Sequence, residues 1–432
     1  MDLIIRPTTL TGSVLIPGSK SHTIRGVAFG SLADGETLLE QPLVSADALA
    51  AINAYRALGA TIDRAPDDSV WRIRGFNGQP AVPSSTIDVE NSGATLSVSR
   101  ATAALLPDGQ SARFDGDHQI RRRPAGPLLD ALNMLGARAV TDNANGCPPL
   151  SVTGRLNGGK AVFPAPSSQY VTALLVNAPF ADGDTELELT LLNEAPYVEM
   201  TLDWMSRLGL RVDASDDRLK YRIPGGQRIA GFRRRIPADF STATFFLAAG
   251  ALPGNAVSCL PLDMNDTQGD KAVIEYLERI GARIRREPSA MTVGVQAEQL
   301  TGIDIDMNAT PDAVPMFAAL GCFCDGNLRL VNVKHARIKE TDRIAVMAEE
   351  LSKMGATVKT MDDGMEVTGN GGGWLTGAVV DGRGDHRVVM SLAIAATRAT
   401  GETRILGADS AAVTFPAFLD ALRSLGADAQ PG

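Results

Sequence analysis

Apolar, helix-forming stretches that end in Leu, Ile or Met followed by Gly recur as LGATID, LGARAV, LGLRVD, IGARIR, MGATVK and LGADAQ. Their glycines, Gly59, Gly136, Gly209, Gly281, Gly355 and Gly426, lie 71 to 77 residues apart. Each predicts a helix closed by a left-handed glycine and followed by a short alternating strand. A second series runs in step with the first. Its small-residue helices end at Gly35, Gly109, Gly183, Gly254, Gly326 and Gly401, spaced by 71 to 75 residues. Two phased series predict six copies of one unit of about 72 residues, each with two helices joined by strands.

The second series has polar first turns: SKSHTIR, NSGATLS, SSQYVTA, ADFSTAT, TPDAVPM and GDHRVVM. Behind them the helices are almost entirely Ala, Leu, Val, Phe and Met, a pattern of helices buried all round. Capping accounts for the hydroxyls, because Ser, Thr, Asp and Asn satisfy the orphan N–H groups of a first turn. It does not account for Lys20, Arg25 and Arg387, since cations oppose the dipole at that end. Several positive helix ends gathered on an anionic ligand fit both features.

At 432 residues the chain exceeds a single core and predicts two or three domains. The net charge of −9 opposes a nucleic-acid or anionic-membrane partner, so basic clusters read as local sites. No apolar run approaches the roughly 20 residues that span a bilayer, and MDLIIRPTTL lacks the pattern of a signal peptide. A cytoplasmic protein is expected. Cys147, Cys259, Cys322 and Cys324 have no CxxC spacing and read as buried reduced thiols, with no metal-ligand cluster.

With the repeat in hand, PGSKSHTIR, RRRPAGPLLDAL, SSQYVTALL, MNATPDA, RIKETDRIAVMAEEL and GDHRVVM carry a resemblance over essentially the whole chain. The chain resembles the EPSP synthase (3-phosphoshikimate 1-carboxyvinyltransferase) family. The resemblance implies an α/β fold of two similar domains, each of three βαβαββ repeats around buried helices, an inside-out α/β barrel. Residues 19–236 would form the N-terminal domain, and residues 1–18 with 237–432 the C-terminal one. The active site would lie in the cleft between them, in a protein expected to be a monomer. No metal or organic cofactor is implied.

Carried over by motif, Lys20, Ser21 and Arg25 would hold the ring substrate, with Ser21 and Arg25 on its carboxylate. Asp312 would meet the ring hydroxyls and move a proton, and Lys339 and Glu340 would act as acid and base. Arg343 and Arg387 would clamp the enolpyruvyl carboxylate, a task suited to the planar guanidinium fork. Arg123 and Gln169 would face the phosphate of phosphoenolpyruvate. Asn91, Ser167, Ser168, Glu194, Tyr197, His335 and His386 complete the expected binding set, and His22 and His335 are further acid/base candidates.

The departures from the family pattern fall at phosphate-handling positions. ENSGATLS has Ala94 for a threonine and Ser97 for an arginine, Glu194 stands where a serine is common, and Val413 where many members have lysine. A carboxylate about 4 Å from a phosphate dianion costs several kcal/mol even at an effective dielectric of about 20. The expectation drawn from this is a diverged enzyme acting on an unphosphorylated enolpyruvyl ring acid, such as a chorismate dehydratase giving 3-[(1-carboxyvinyl)oxy]benzoate on a route to menaquinone. The alternative is a genuine carboxyvinyltransferase using shikimate 3-phosphate and phosphoenolpyruvate. A non-catalytic binding protein is a third reading, against which the retained Lys20, Asp312, Lys339 and Glu340 speak.

Overall fold

The computed structural model describes residues 1–432, which divide into two compact units: Lys20–Ile236, and Met1–Ser19 together with Pro237–Gly432. The first contains helices α1 (Lys20–Leu32), α2 (Ala46–Ala57), α3 (Gly93–Ala103), α4 (Gly126–Met134), α5 (Ser168–Asn177) and α6 (Ala195–Arg207). The second contains α7 (Phe240–Ala251), α8 (Val273–Arg279), α9 (Val314–Gly321), α10 (Arg343–Lys353), α11 (His386–Ala396) and α12 (Phe418–Ser424). Even-numbered helices close on the first glycine series, and odd-numbered helices are the small-residue ones.

All six even-numbered helices end in the same way. The residue after the glycine donates to a carbonyl five back, as in Ala60 to Tyr55, Ala137 to Leu132 and Ala427 to Leu422, while Gly59, Gly136 and Gly426 take φ near +100°. This is the Schellman closure, which needs a left-handed residue that glycine adopts without a Cβ penalty. The second series differs in one member. Gly183 has no positive φ, because α5 runs on into a 3-10 turn at Ala178–Phe180 and the chain leaves it extended.

Each unit holds three four-stranded sheets of one plan. In the sheet of Gly159–Ala165, Thr185–Leu192, Lys220–Ile223 and Asp213–Ala214, the first pair is parallel and the others antiparallel. A parallel pair requires a crossover, and α5 supplies it. The plan is βαβαββ, repeated six times. Three repeats borrow strands from a distance. Arg233–Arg235 leads the sheet of Glu36–Glu40, and in the other unit Thr11–Leu15 pairs with Ala256–Leu260 while Leu3–Arg6 lies between Thr403–Leu406 and Asp428–Pro431. Both chain ends are thereby tied into one unit.

The odd-numbered helices form the core of each unit. α7 is buried at every residue, and Phe240, Phe245 and Phe246 pack there with Phe317 of α9. In the other unit Trp71, Trp204 and Tyr55 are fully buried. Cys259, Cys322 and Cys324 are buried free thiols, whereas Cys147 is half-buried on a loop, a correction to its expected burial. No helix is long and apolar enough to cross a membrane.

Candidate active site

Burial of the odd-numbered helices leaves their first turns as the place where polar side chains collect. In the unit of residues 20–236 these turns belong to α1, α3 and α5. Lys20, at the start of α1, pairs with Asp47 at 3.0 Å, and the Asp47 side chain is only 6% exposed. Sequence reading passed over Asp47, since an acid in the first turn of α2 reads as a partner of the helix dipole.

Arg25 is enclosed rather than open. It donates to Thr201 Oγ1 at 3.0 Å, Ser21 O at 3.0 Å, Thr172 Oγ1 at 3.3 Å and Tyr197 O at 2.7 Å. Burial pushes its guanidinium down to about 10, so it remains charged at neutrality. Tyr197 thus meets Arg25 through its carbonyl. His22, a candidate acid/base, is fully buried and accepts the Trp204 indole N–H on Nδ1 at 2.8 Å. Helical spacing turns it from the mouth to the core, where it braces α1 against α6. His118 is exposed on a loop.

Asn91, Gly93, Arg123 and Gln169 come together. Arg123 Nη2 donates to Asn91 Oδ1 at 3.2 Å, and the Ser97 hydroxyl reaches Gln169 Oε1 at 3.4 Å. A Cβ on Gly93 would stand 2.4 Å from Arg123 Nη1 and 3.4 Å from Gln169 Oε1, so glycine lets the guanidinium lie against the start of α3. Asn91 is oriented by Asp117 and Gln119, each 2.6 Å from its Nδ2.

The mouth of α5 holds an acid of the chain itself. Glu194 is 2% exposed with φ at +59°. Its Oε2 accepts the Ser168 N–H at 3.0 Å, the Ser168 hydroxyl at 2.7 Å and the Ser167 hydroxyl at 3.4 Å. The left-handed backbone of a non-glycine residue persists only where surrounding contacts hold it. Ser167 and Ser168 thus form an anion seat, occupied here by a carboxylate.

Sequence reading missed one cation. Arg100 lies on α3 one turn beyond Ser97, the position where the family pattern has arginine. It is 1% exposed and stacks over the Tyr170 ring at 5.8 Å. The signal was the i, i+3 spacing, which returns a side chain to the same helix face.

In the other unit the polar turns are those of α7, of the 3-10 turn Pro311–Ala313 ahead of α9, and of α11, with the KETDR segment between the last two in the chain. Arg343, 1% exposed, binds three acids: Asp312 Oδ1 at 2.7 Å, Asp385 Oδ2 at 2.8 Å, and Glu340. Burial works against its charge, and Asp385, Glu340 and Asp312 outweigh burial and raise its pKa. Arg387 reaches the other Asp312 oxygen at 2.6 Å. Asp385 also caps α11 by accepting the Arg387 N–H at 2.9 Å, while His386 and His335 are buried beside these turns. Lys339 is half-buried next to Glu340. The guanidinium pair expected to clamp a substrate carboxylate is therefore shaped around Asp312, with Asp385 as a partner that sequence reading took for a cap alone.

The chain matches known proteins over its full length. The family model of EPSP synthase (3-phosphoshikimate 1-carboxyvinyltransferase) covers residues 4–422. A protein of Acetivibrio thermocellus named 3-phosphoshikimate 1-carboxyvinyltransferase is 48% identical over 99% of both chains. One of the same name from Halobacterium salinarum is 43% identical, also over 99% of both. The EPSP synthase structure from Acinetobacter baumannii superposes with a TM-score of 0.81, 26% identity and complete coverage of both chains.

These relatives overturn the expectation of a chorismate dehydratase on an unphosphorylated acid. That expectation weighed Ala94, Ser97 and Glu194 as lost phosphate contacts. The structure keeps Asn91, Gly93, Arg123 and Gln169 together, and adds Arg100 one turn from Ser97. Local substitutions in a conserved frame do not by themselves move a chain to a different reaction. The full-length family match and the shared fold show that this chain belongs to the EPSP synthase family.

Proposed function

We propose that the protein is a 3-phosphoshikimate 1-carboxyvinyltransferase, moving the enolpyruvyl group of phosphoenolpyruvate to shikimate 3-phosphate. The observation that carries this reading is the 48% identity, over 99% of both chains, to a relative of that name. The geometry agrees in chemical type. One cluster offers cations and amide donors for phosphoryl and carboxylate groups, and the other offers acids and a lysine for proton transfer.

In this reading a ring hydroxyl adds to C2 of phosphoenolpyruvate as a proton is delivered to C3. The tetrahedral adduct then loses phosphate and one C3 proton, restoring the double bond. Both steps need an acid and a base near the same carbon. Asp312, Glu340 and Lys339 are assigned to these transfers, with Lys20 countering charge on the adduct. Arg123, Asn91 and Gln169 are assigned to the phosphate of phosphoenolpyruvate, which leaves, and Arg343 and Arg387 to the enolpyruvyl carboxylate.

Incubation with both substrates tests the proposal. Inorganic phosphate is expected only when shikimate 3-phosphate and phosphoenolpyruvate are present together. Absence of release from the pair, by protein that is folded, would overturn the reading.

A further inference from the structure

Arg100 combines properties that rarely coexist. It is 1% exposed, and its Nε and Nη1 have no hydrogen-bond partner. Its neighbouring titratable group is Tyr170, a neutral phenol whose own pKa is raised by burial. Burial lowers the guanidinium only to about 10, so the group is a cation at neutral pH. A buried cation without an acid is destabilising, and folded chains ordinarily remove it, pair it or use it.

The surroundings indicate the partner. Side chains on a helix lean toward its N-terminus, so Arg100 extends back along α3 toward Ser97 and Gly93. Its guanidinium lies over the ring of Tyr170, in the first turn of α5, and the Tyr170 hydroxyl donates to Pro124 O at 2.6 Å. Pro124 follows Arg123, and Tyr170 follows Gln169. Through Tyr170, Arg100 is tied to the backbone next to Arg123 and to the helix turn that carries Gln169, and it shares the α3 face of Ser97, whose hydroxyl reaches Gln169.

We propose that Arg100 is a further anion-binding residue of this cluster, and that a bound phosphoryl group is the counter-charge it lacks. The assignment rests on the proposed carboxyvinyltransferase reading for which phosphoryl group is bound. It does not rest on that reading for the need of an anion. It restores, from one turn deeper, a guanidinium on the helix face where Ser97 has none.

Inorganic phosphate is the probe. Wild-type protein should melt at higher temperature as phosphate is added. Arg100→Met, which removes an unpaired buried charge while keeping apolar bulk, should melt at the same or a higher temperature without phosphate. Its phosphate midpoint should rise at least about tenfold, the loss of one charge-assisted contact. Arg100→Lys, which keeps a charge without the fork, should fall between the two.

Three results would overturn the inference: a wild type indifferent to phosphate, an Arg100→Met protein with an unchanged midpoint, or one that is markedly less stable, which would make the guanidinium structural. The two proposals fail separately. Arg100-dependent phosphate binding without turnover of the substrate pair would sink the transferase reading alone, and turnover with an Arg100→Met protein unchanged in phosphate binding would sink this inference alone.

Discussion

The Glu194 carboxylate accepts both the hydroxyl of Ser168, at 2.7 Å, and its backbone N–H, at 3.0 Å. An acid of the chain thus sits in the seat that the mouth of α5 offers to an anion. A second anion can enter only against that charge or after it moves.

Glu194→Ser should therefore improve the fit of a phosphorylated ring acid. Coulomb repulsion at about 4 Å and an effective dielectric of about 20 amounts to several kcal/mol for like charges. Allowing for rearrangement, the KM for shikimate 3-phosphate should fall at least about tenfold with little change in kcat. Steady-state kinetics at saturating phosphoenolpyruvate decides it. An unchanged or higher KM would place Glu194 outside the field of the substrate phosphate.

Gly93→Ala tests the close approach of Arg123 to α3. The new Cβ would stand 2.4 Å from Arg123 Nη1, the far end of a flexible side chain. The guanidinium should swing aside at little cost to folding. Tm should hold within a few degrees, while the KM for phosphoenolpyruvate rises about tenfold or more. Loss of folding, or unchanged kinetics, would contradict this account of the glycine.

Arg343→Met should be severe for stability. It leaves Asp312, Glu340 and the fully buried Asp385 without their shared cation. Breaking a buried pair from one side costs about 3–5 kcal/mol. Asp385→Asn keeps an acceptor for the cap of α11 and should cost less, about 1–3 kcal/mol. Urea denaturation of both proteins gives the ranking, and the reverse order would show that the Asp385 charge matters more to the fold than the cation its neighbours share.

High pH should weaken the fold through its thiols. Burial pushes Cys322 and Cys324 up to about 12, from an ordinary value of 9.0. Raised pKa values keep the protons on the folded form while the unfolded chain releases them. Their contribution is present below pH 9 and is lost as pH rises toward about 12. Replacing both cysteines with alanine should flatten that alkaline loss in urea midpoints. An equally steep fall would assign it to other groups, such as Tyr55 and Tyr221.

The repeat was legible because helix closure needs a left-handed residue, so glycine marks one backbone geometry wherever it recurs. Gly183 escaped the rule because a 3-10 turn after α5 cannot be read from spacing. The site was legible as helix mouths, since buried helices expose little else. Its pairings were not. Asp385 read as a cap and Asp47 was passed over, and only the fold brings them to Arg343 and Lys20. Glu194 was noticed, but its weight was misjudged. Repulsion at one seat was taken for loss of phosphate recognition, while Arg100, three residues past the missing arginine, went unread.

Phosphorus NMR of a single reaction follows the central claim most directly. With shikimate 3-phosphate and phosphoenolpyruvate, the phosphoenolpyruvate resonance should decline in step with the rise of inorganic phosphate, while the ring phosphate ester persists with a shifted resonance. A static spectrum, or inorganic phosphate arising from the ring ester instead, would contradict the account.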